Sequence, residues 1–151
     1  MRLFRAATDD AITTDTSGPW SVTRTEYDGR PMILRLNDGL REIAGHKRYP
    51  TQAGIAIKCN TPDEHGLPSP RDTAAFDAFE DQFEELFCEG QAALFAAAIS
   101  TNGMREFVFY VSDESRFREQ FRRWAETPKS HRIQMILRRD PSWSAYGTLA
   151  G

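Results

Sequence analysis

The sequence predicts an α+β fold: a ferredoxin-like βαββαβ sandwich extended by an N-terminal β-hairpin. Three observations lead there. Asn102-Gly103 sits between two apolar runs, residues 91–100 and 104–111. Asn-Gly in that setting signals a tight hairpin, because both central residues of a two-residue turn need positive φ. A helix-like stretch and then a strand-like stretch lie on each side of this turn. Asp28-Gly29 marks a second hairpin upstream.

Residues 1–18 are polar, rich in Thr and Asp and without a sustained period, and are expected to form a loosely attached arm anchored by Leu3, Phe4 and Ile12. Residues 19–151 are expected to form a single domain. Its first two strands are residues 20–27 and 31–37; Met32, Leu34 and Leu36 face one way, Ile33 and Arg35 the other. Residues 39–45 read as one or two helical turns, and residues 53–59 as the first strand of the sandwich, where Gly54 predicts a bulge or a close approach by neighbouring backbone. A long helix should begin after Ser69, with Pro70 at its first position and Asp72 as capping partner. Phe76, Phe79, Phe83, Leu86 and Phe87 form its apolar face, and Gly90 its stop.

The alanines of residues 91–100 favour helix, but the glycine before them, the hairpin turn after them and their length favour a strand buried on both faces. A second helix should start near Ser112 or Asp113 and end before Pro128, with Phe117, Phe121, Trp124 and Ala125 inward, and with Glu114–Arg118 and Glu119–Arg123 paired outside. Residues 132–139 make the last strand. Asp140-Pro141 reads as the cap and first position of a short helix that Trp143 and Tyr146 pin to the sheet.

A length of 151 residues, 40% hydrophobic and 27% charged, suits a globular protein with a core of its own. A net charge of −3 gives no general attraction to nucleic acid or anionic membrane. No apolar run is long enough to span a bilayer and no signal-peptide pattern opens the chain, so the expected location is the cytoplasm. Cys59 and Cys88 lack metal-ligand spacing and are expected to be reduced thiols.

Several blocks look familiar together. They are Arg35-Leu36-Asn37, Tyr49-Pro50, Gly66-Leu67-Pro68, Phe79-Glu80-Asp81, the segment Thr101-Asn102-Gly103-Met104-Arg105-Glu106-Phe107-Val108-Phe109-Tyr110, and Asp140-Pro141-Ser142-Trp143. In this order they resemble the bacterial family called domain of unknown function 695, over roughly residues 20–146. A distant similarity to the regulator of ribonuclease activity B family implies a small, acidic, ferredoxin-like protein that inhibits an enzyme by binding it. Neither resemblance implies an active site.

Two sets of residues are candidates for function. Arg35, Asn37, Arg105, Glu106, Tyr110 and His131 lie near strand ends; brought together, they could orient an anionic ligand, since arginine binds carboxylate or phosphate in bidentate fashion. Asp77, Glu80, Asp81, Glu84 and Glu85, expected on the helix side away from the phenylalanines, could dock a basic partner. The ordinary alternatives are a buried Arg–Glu pair with a bonded Tyr, and a solvated helix face. Aromatics at Phe107 and Phe109 faintly echo an RNA-stacking strand, but the leading basic-glycine pair is missing and residues 53–59 offer no aromatic platform. His46, His65 and His131 are isolated, Asp63-Glu64-His65 is a poor cage, and neither a metal nor a cofactor is expected. The hydrolase, nucleotide-loop and redox fingerprints are absent.

The expectation is therefore a non-catalytic regulator or inhibitor of another protein, a description that an immunity protein against a toxin also fits. A second copy of the chain is a further expected partner. The alternatives are a small-molecule site or enzyme built on Arg35, Arg105, Glu106 and Tyr110, and single-stranded RNA binding.

Overall fold

A computed structural model of the protein describes residues 16–151. All of the expected arm but residues 16–18 falls outside them, Leu3, Phe4 and Ile12 included. The described chain is mixed α/β, with a six-stranded sheet and three α-helices. The strands are β1 (Trp20–Tyr27), β2 (Arg30–Asn37), β3 (Thr51–Lys58), β4 (Ala93–Thr101), β5 (Met104–Val111) and β6 (Ile133–Arg139). They lie in the order β1-β2-β4-β5-β3-β6, and every neighbouring pair is antiparallel.

Both hairpins form as the turn chemistry predicts. Asp28 and Gly29 have φ of 55° and 75°, Asn102 and Gly103 of 51° and 76°. The alanine-rich run is a strand, starting at Ala93 after a 3-10 turn, Glu89–Gln91. A bulge between Phe95 and Ala97 resets its alternation. Leu94, Ala96 and Ala97 thus join one core cluster while Phe95 and Ala98 join the other, which is why the run is apolar throughout.

Helix α1 (Pro70–Phe87) begins as expected, with the Ser69 hydroxyl accepting from the Asp72 N–H at 3.2 Å. Its stripe of Phe76, Phe79, Phe83 and Phe87 is buried against the sheet. Helix α2 (Glu114–Ala125) is capped by Asp113, and Phe117 is its one buried residue. Both expected i,i+4 pairs form on its surface, Glu114–Arg118 at 3.3 Å and Glu119–Arg123 at 3.2 Å. Under the two helices the rings interlock: Phe83 meets Phe107 at 5.6 Å and Trp124 at 4.9 Å, and Phe87 stacks on Phe117 at 4.1 Å.

The opposite face carries a smaller core of Leu34, Leu36, Leu94, Val108 and Tyr110, closed by Leu40, Tyr49, Trp143 and Tyr146. Its cover is helix α3 (Ser144–Ala150), which starts later than Asp140-Pro141 suggests. Trp143 takes a left-handed conformation, φ 57°, and the helix begins after it. Asp140 nevertheless acts as a cap at longer range, its carboxylate accepting from the N–H groups of Ser144 (2.9 Å) and Ala145 (3.1 Å). Gly54 marks no bulge. A Cβ there would lie 2.6 Å from Glu106 Oε2, so the close approach is by a side chain rather than by backbone.

Candidate functional site

The sheet separates the six polar strand-end candidates instead of gathering them in one pocket. Arg35 and Arg105 point under α1. The Arg35 guanidinium donates twice to the Glu80 carboxylate, at 2.7 and 3.1 Å, and this hydrogen bond raises its already high pKa. Arg105 is buried, donates to the Ser100 hydroxyl at 2.8 Å and lies 3.5 Å from Asp77; burial lowers its pKa. Two members of the acidic helix set therefore reach two members of the arginine set: Glu80 is largely buried against Arg35, while Asp77 meets Arg105 from the exposed rim of α1. Asp81, Glu84 and Glu85 stay exposed on α1.

Asn37 is buried, its amide donating to the carbonyls of Thr16 (2.8 Å) and Phe95 (2.9 Å). Tyr110 lies on the opposite face, stacked on Trp143 at 3.9 Å. Its hydroxyl donates to Asp140 at 2.7 Å and accepts from the Tyr146 N–H at 3.2 Å. Burial, reinforced by the Asp140 hydrogen bond, raises the Tyr110 pKa. Burial alone would raise that of Asp140, but the hydrogen bonds it accepts from Ser144, Tyr110 and Ala145 outweigh this and lower it. His131 lies elsewhere again, between the rings of Phe76 and Phe79, with Nε2 2.8 Å from Asp72 and Nδ1 2.8 Å from the Ser130 hydroxyl. Asp72 also accepts from the N–H groups of Asn60 and Thr61. These bonds overcome its burial and bring its pKa down to about 2. The three residue types are those of a hydrolytic triad, but Asp72 here ties two loops to the first turn of α1.

The familiar blocks find one another in space. Arg35 pairs with Glu80. The loop holding Gly66-Leu67-Pro68, folded around the Asp63 carboxylate, docks on the Asn102-Gly103 turn, where the Gly103 N–H donates to the Gly66 carbonyl at 2.7 Å. Tyr49-Pro50 meets Asp140 and Trp143: the Trp143 indole donates to the Tyr49 carbonyl at 2.9 Å and the Asp140 N–H to the Pro50 carbonyl at 2.9 Å. The chain matches the model of the Family of unknown function (DUF695) over residues 19–149. It belongs to that family. A search of the curated proteins finds no match. In this DUF695 protein, then, the blocks that carry the resemblance act largely as clasps of the fold.

Glu106 stands apart from the other five. It projects from β5 onto the face that α3 covers only in part. Beside it runs a groove of about 590 Å³ lined by Thr23, Thr25, Tyr27, Met32, Ile99 and Thr148 among others. On its other side Gly54, Gln52, Ile136 and Arg138 form a shallow continuation. The Glu106 carboxylate makes no hydrogen bond or ion pair with the described residues. Burial raises its pKa, and the charge of Arg138 only partly offsets this.

The polar walls Thr23 and Thr25 were not among the sequence-predicted sites. The available signal was the alternation of β1 itself, which presents Thr23, Thr25 and Tyr27 on one side without the apolar partners of a core strand. Among the described residues, no group of three or more His, Cys, Asp or Glu is placed to hold a metal ion. No described helix is long and apolar enough to cross a membrane.

Proposed function

We propose that this DUF695 protein acts without catalysis, regulating or inhibiting another protein by binding it through the open half of the sheet. The observation that carries this reading is Glu106, a half-buried carboxylate with no hydrogen bond or ion pair among the described residues, at the edge of a groove whose floor is partly apolar. A group with a raised carboxyl pKa costs the fold stability at neutral pH, and such costs concentrate at functional sites. The chemistry that relieves it is a cation or N–H donor carried on an apolar segment, such as a lysine flanked by aliphatic residues. The strand order β6-β3-β5-β4 supports reading the core as ferredoxin-like, with the β1–β2 hairpin added at the β4 edge. That fold hosts binding modules as readily as enzymes, so the site rather than the fold bears the argument.

Photo-crosslinking residues placed singly at Thr148, on the groove wall, and at Asp81, on the acidic helix face, test the reading in cells that produce the protein. Adducts to another protein from Thr148 and not from Asp81 are expected. Adducts from Asp81 alone would move the contact to α1, and none from either position would contradict a binding role.

A further inference from the structure

Strand β1 is the least buried strand of the sheet. Residues 22–27 are all exposed, and Val22 and Tyr27, each 67% accessible, are the most exposed large apolar side chains described. Tyr27 and Arg30 flank a two-residue turn and so form a hydrogen-bonded pair. The backbone groups of Tyr27, Thr25 and Thr23 consequently face β2, and those of Glu26, Arg24 and Val22 face outward. Pro31, which has no N–H to donate, sits opposite Glu26, as this phase requires.

The two edges of the sheet are guarded differently. At the far edge, β6 carries Arg138 and Arg139 with Arg132 just before it, so a second copy laid against it would meet like charge. Strand β1 has no proline, lysine or bulge. Its two charges, Arg24 and Glu26, have opposite signs and lie opposite Ile33 and Pro31 on β2, and neither forms an ion pair with the described residues.

We propose that β1 pairs antiparallel with β1 of a second copy about a two-fold axis at Thr25. In this register Arg24 opposes the partner's Glu26 and Glu26 the partner's Arg24, while Thr25 opposes the partner's Thr25 and Thr23 the partner's Tyr27. An axis at Arg24 would set arginine against arginine. An axis at Thr23 would set each charge opposite an apolar side chain, Arg24 against Val22 and Glu26 against Trp20. The self-complementary charges thus select the axis at Thr25. The two sheets become continuous, the outward backbone groups of β1 gain partners, and Thr23, Thr25 and Tyr27, which line the groove, bring the grooves of the two copies together.

Sedimentation of the full chain, combined with cysteine crosslinking, tests both the dimer and its register. The wild type is expected at twice 17.2 kDa. Glu26→Lys should weaken association at least about tenfold, because both symmetry-related pairs become repulsive. The Arg24→Glu/Glu26→Lys exchange should restore it. Thr25→Cys should oxidise readily to a covalent dimer, since directly opposed non-hydrogen-bonded residues bring their Cα atoms to about 4.5 Å. Thr23→Cys should not. The native thiols should stay silent, because burial pushes Cys59 up to about 11 and Cys88 up to about 12. A monomer at every concentration, a dimer indifferent to Glu26→Lys, or faster crosslinking through Thr23→Cys than through Thr25→Cys would overturn the proposal. The groove's protein contact is read separately by crosslinking at Thr148, so either result can fail alone.

Discussion

Beneath α1 and α2, each arginine that enters the sheet surface meets a carboxylate: Arg35 has Glu80 and Arg105 has Asp77, and the space between the helices and the sheet is filled with rings. On the opposite face α3, with Leu40 and Tyr49, covers only part of the sheet, and Glu106 enters the remainder with neither a hydrogen bond nor an ion pair among the described residues. The first face is organised for stability. The second retains a group that the fold alone does not explain. Both arginines and Glu106 look equally functional as sequence; what separates them is which partners the pleat and the helix bring within reach.

Truncations on the closed face should cost most. Phe83→Ala removes a fully buried ring that contacts Phe79, Phe87, Phe107, Phe109 and Trp124, and should lower unfolding stability in denaturant titration by about 4 kcal/mol. Next comes Asp72→Asn, which weakens the charge-assisted bonds tying two loops to α1 and should cost about 2–3 kcal/mol. The Asp72 carboxyl, at about 2, lies below its ordinary 3.8. Its contribution is therefore complete above the ordinary value and is lost as pH falls toward about 2. Acid unfolding followed by circular dichroism should show a shallower loss of stability across that window in Asp72→Asn than in the wild type.

On the partly covered face, Tyr110→Phe leaves the Asp140 carboxylate and the Tyr146 N–H one bond short, and should cost about 1–2 kcal/mol in the same titration. The open half predicts the smallest effect and the opposite sign. Because the Glu106 pKa is raised, its ionisation costs stability, and that cost appears as pH rises through the folded-state value. Glu106→Gln should thus be neutral in acid and more stable at neutral pH by up to about 1 kcal/mol. A loss of stability at neutral pH would place Glu106 with the structural carboxylates.

Much of the framework was legible because local chemistry and long-range pairing agree. Asp28-Gly29 and Asn102-Gly103 fix two turns, Ser69-Pro70 starts α1, and the Phe76–Phe87 stripe has one partner face available. The candidate site was legible only in part. Periodicity places Arg105 and Glu106 on opposite sides of β5, but which side the helices cover depends on crossovers far along the chain. Nothing local reveals that Asp77 and Glu80 pair with Arg105 and Arg35, since these partners lie on strands distant in sequence. The start of α3 was missed because Asp140 caps from four residues away while Trp143 takes a left-handed turn, a geometry that an Asp-Pro dipeptide does not advertise. Gly54 signalled crowding correctly; the crowding atom, a carboxylate oxygen on a neighbouring strand, was visible only in three dimensions.

That Glu106 has no hydrogen bond or ion pair among the described residues is what sets the open face apart, and carbon-detected NMR titration of its carboxyl tests that state directly. The midpoint is expected above the ordinary 4.5 of a glutamate, and higher still in Arg138→Ala. A midpoint at or below that value would show a carboxylate already satisfied within the fold, and would contradict the assignment of the open face as the working surface.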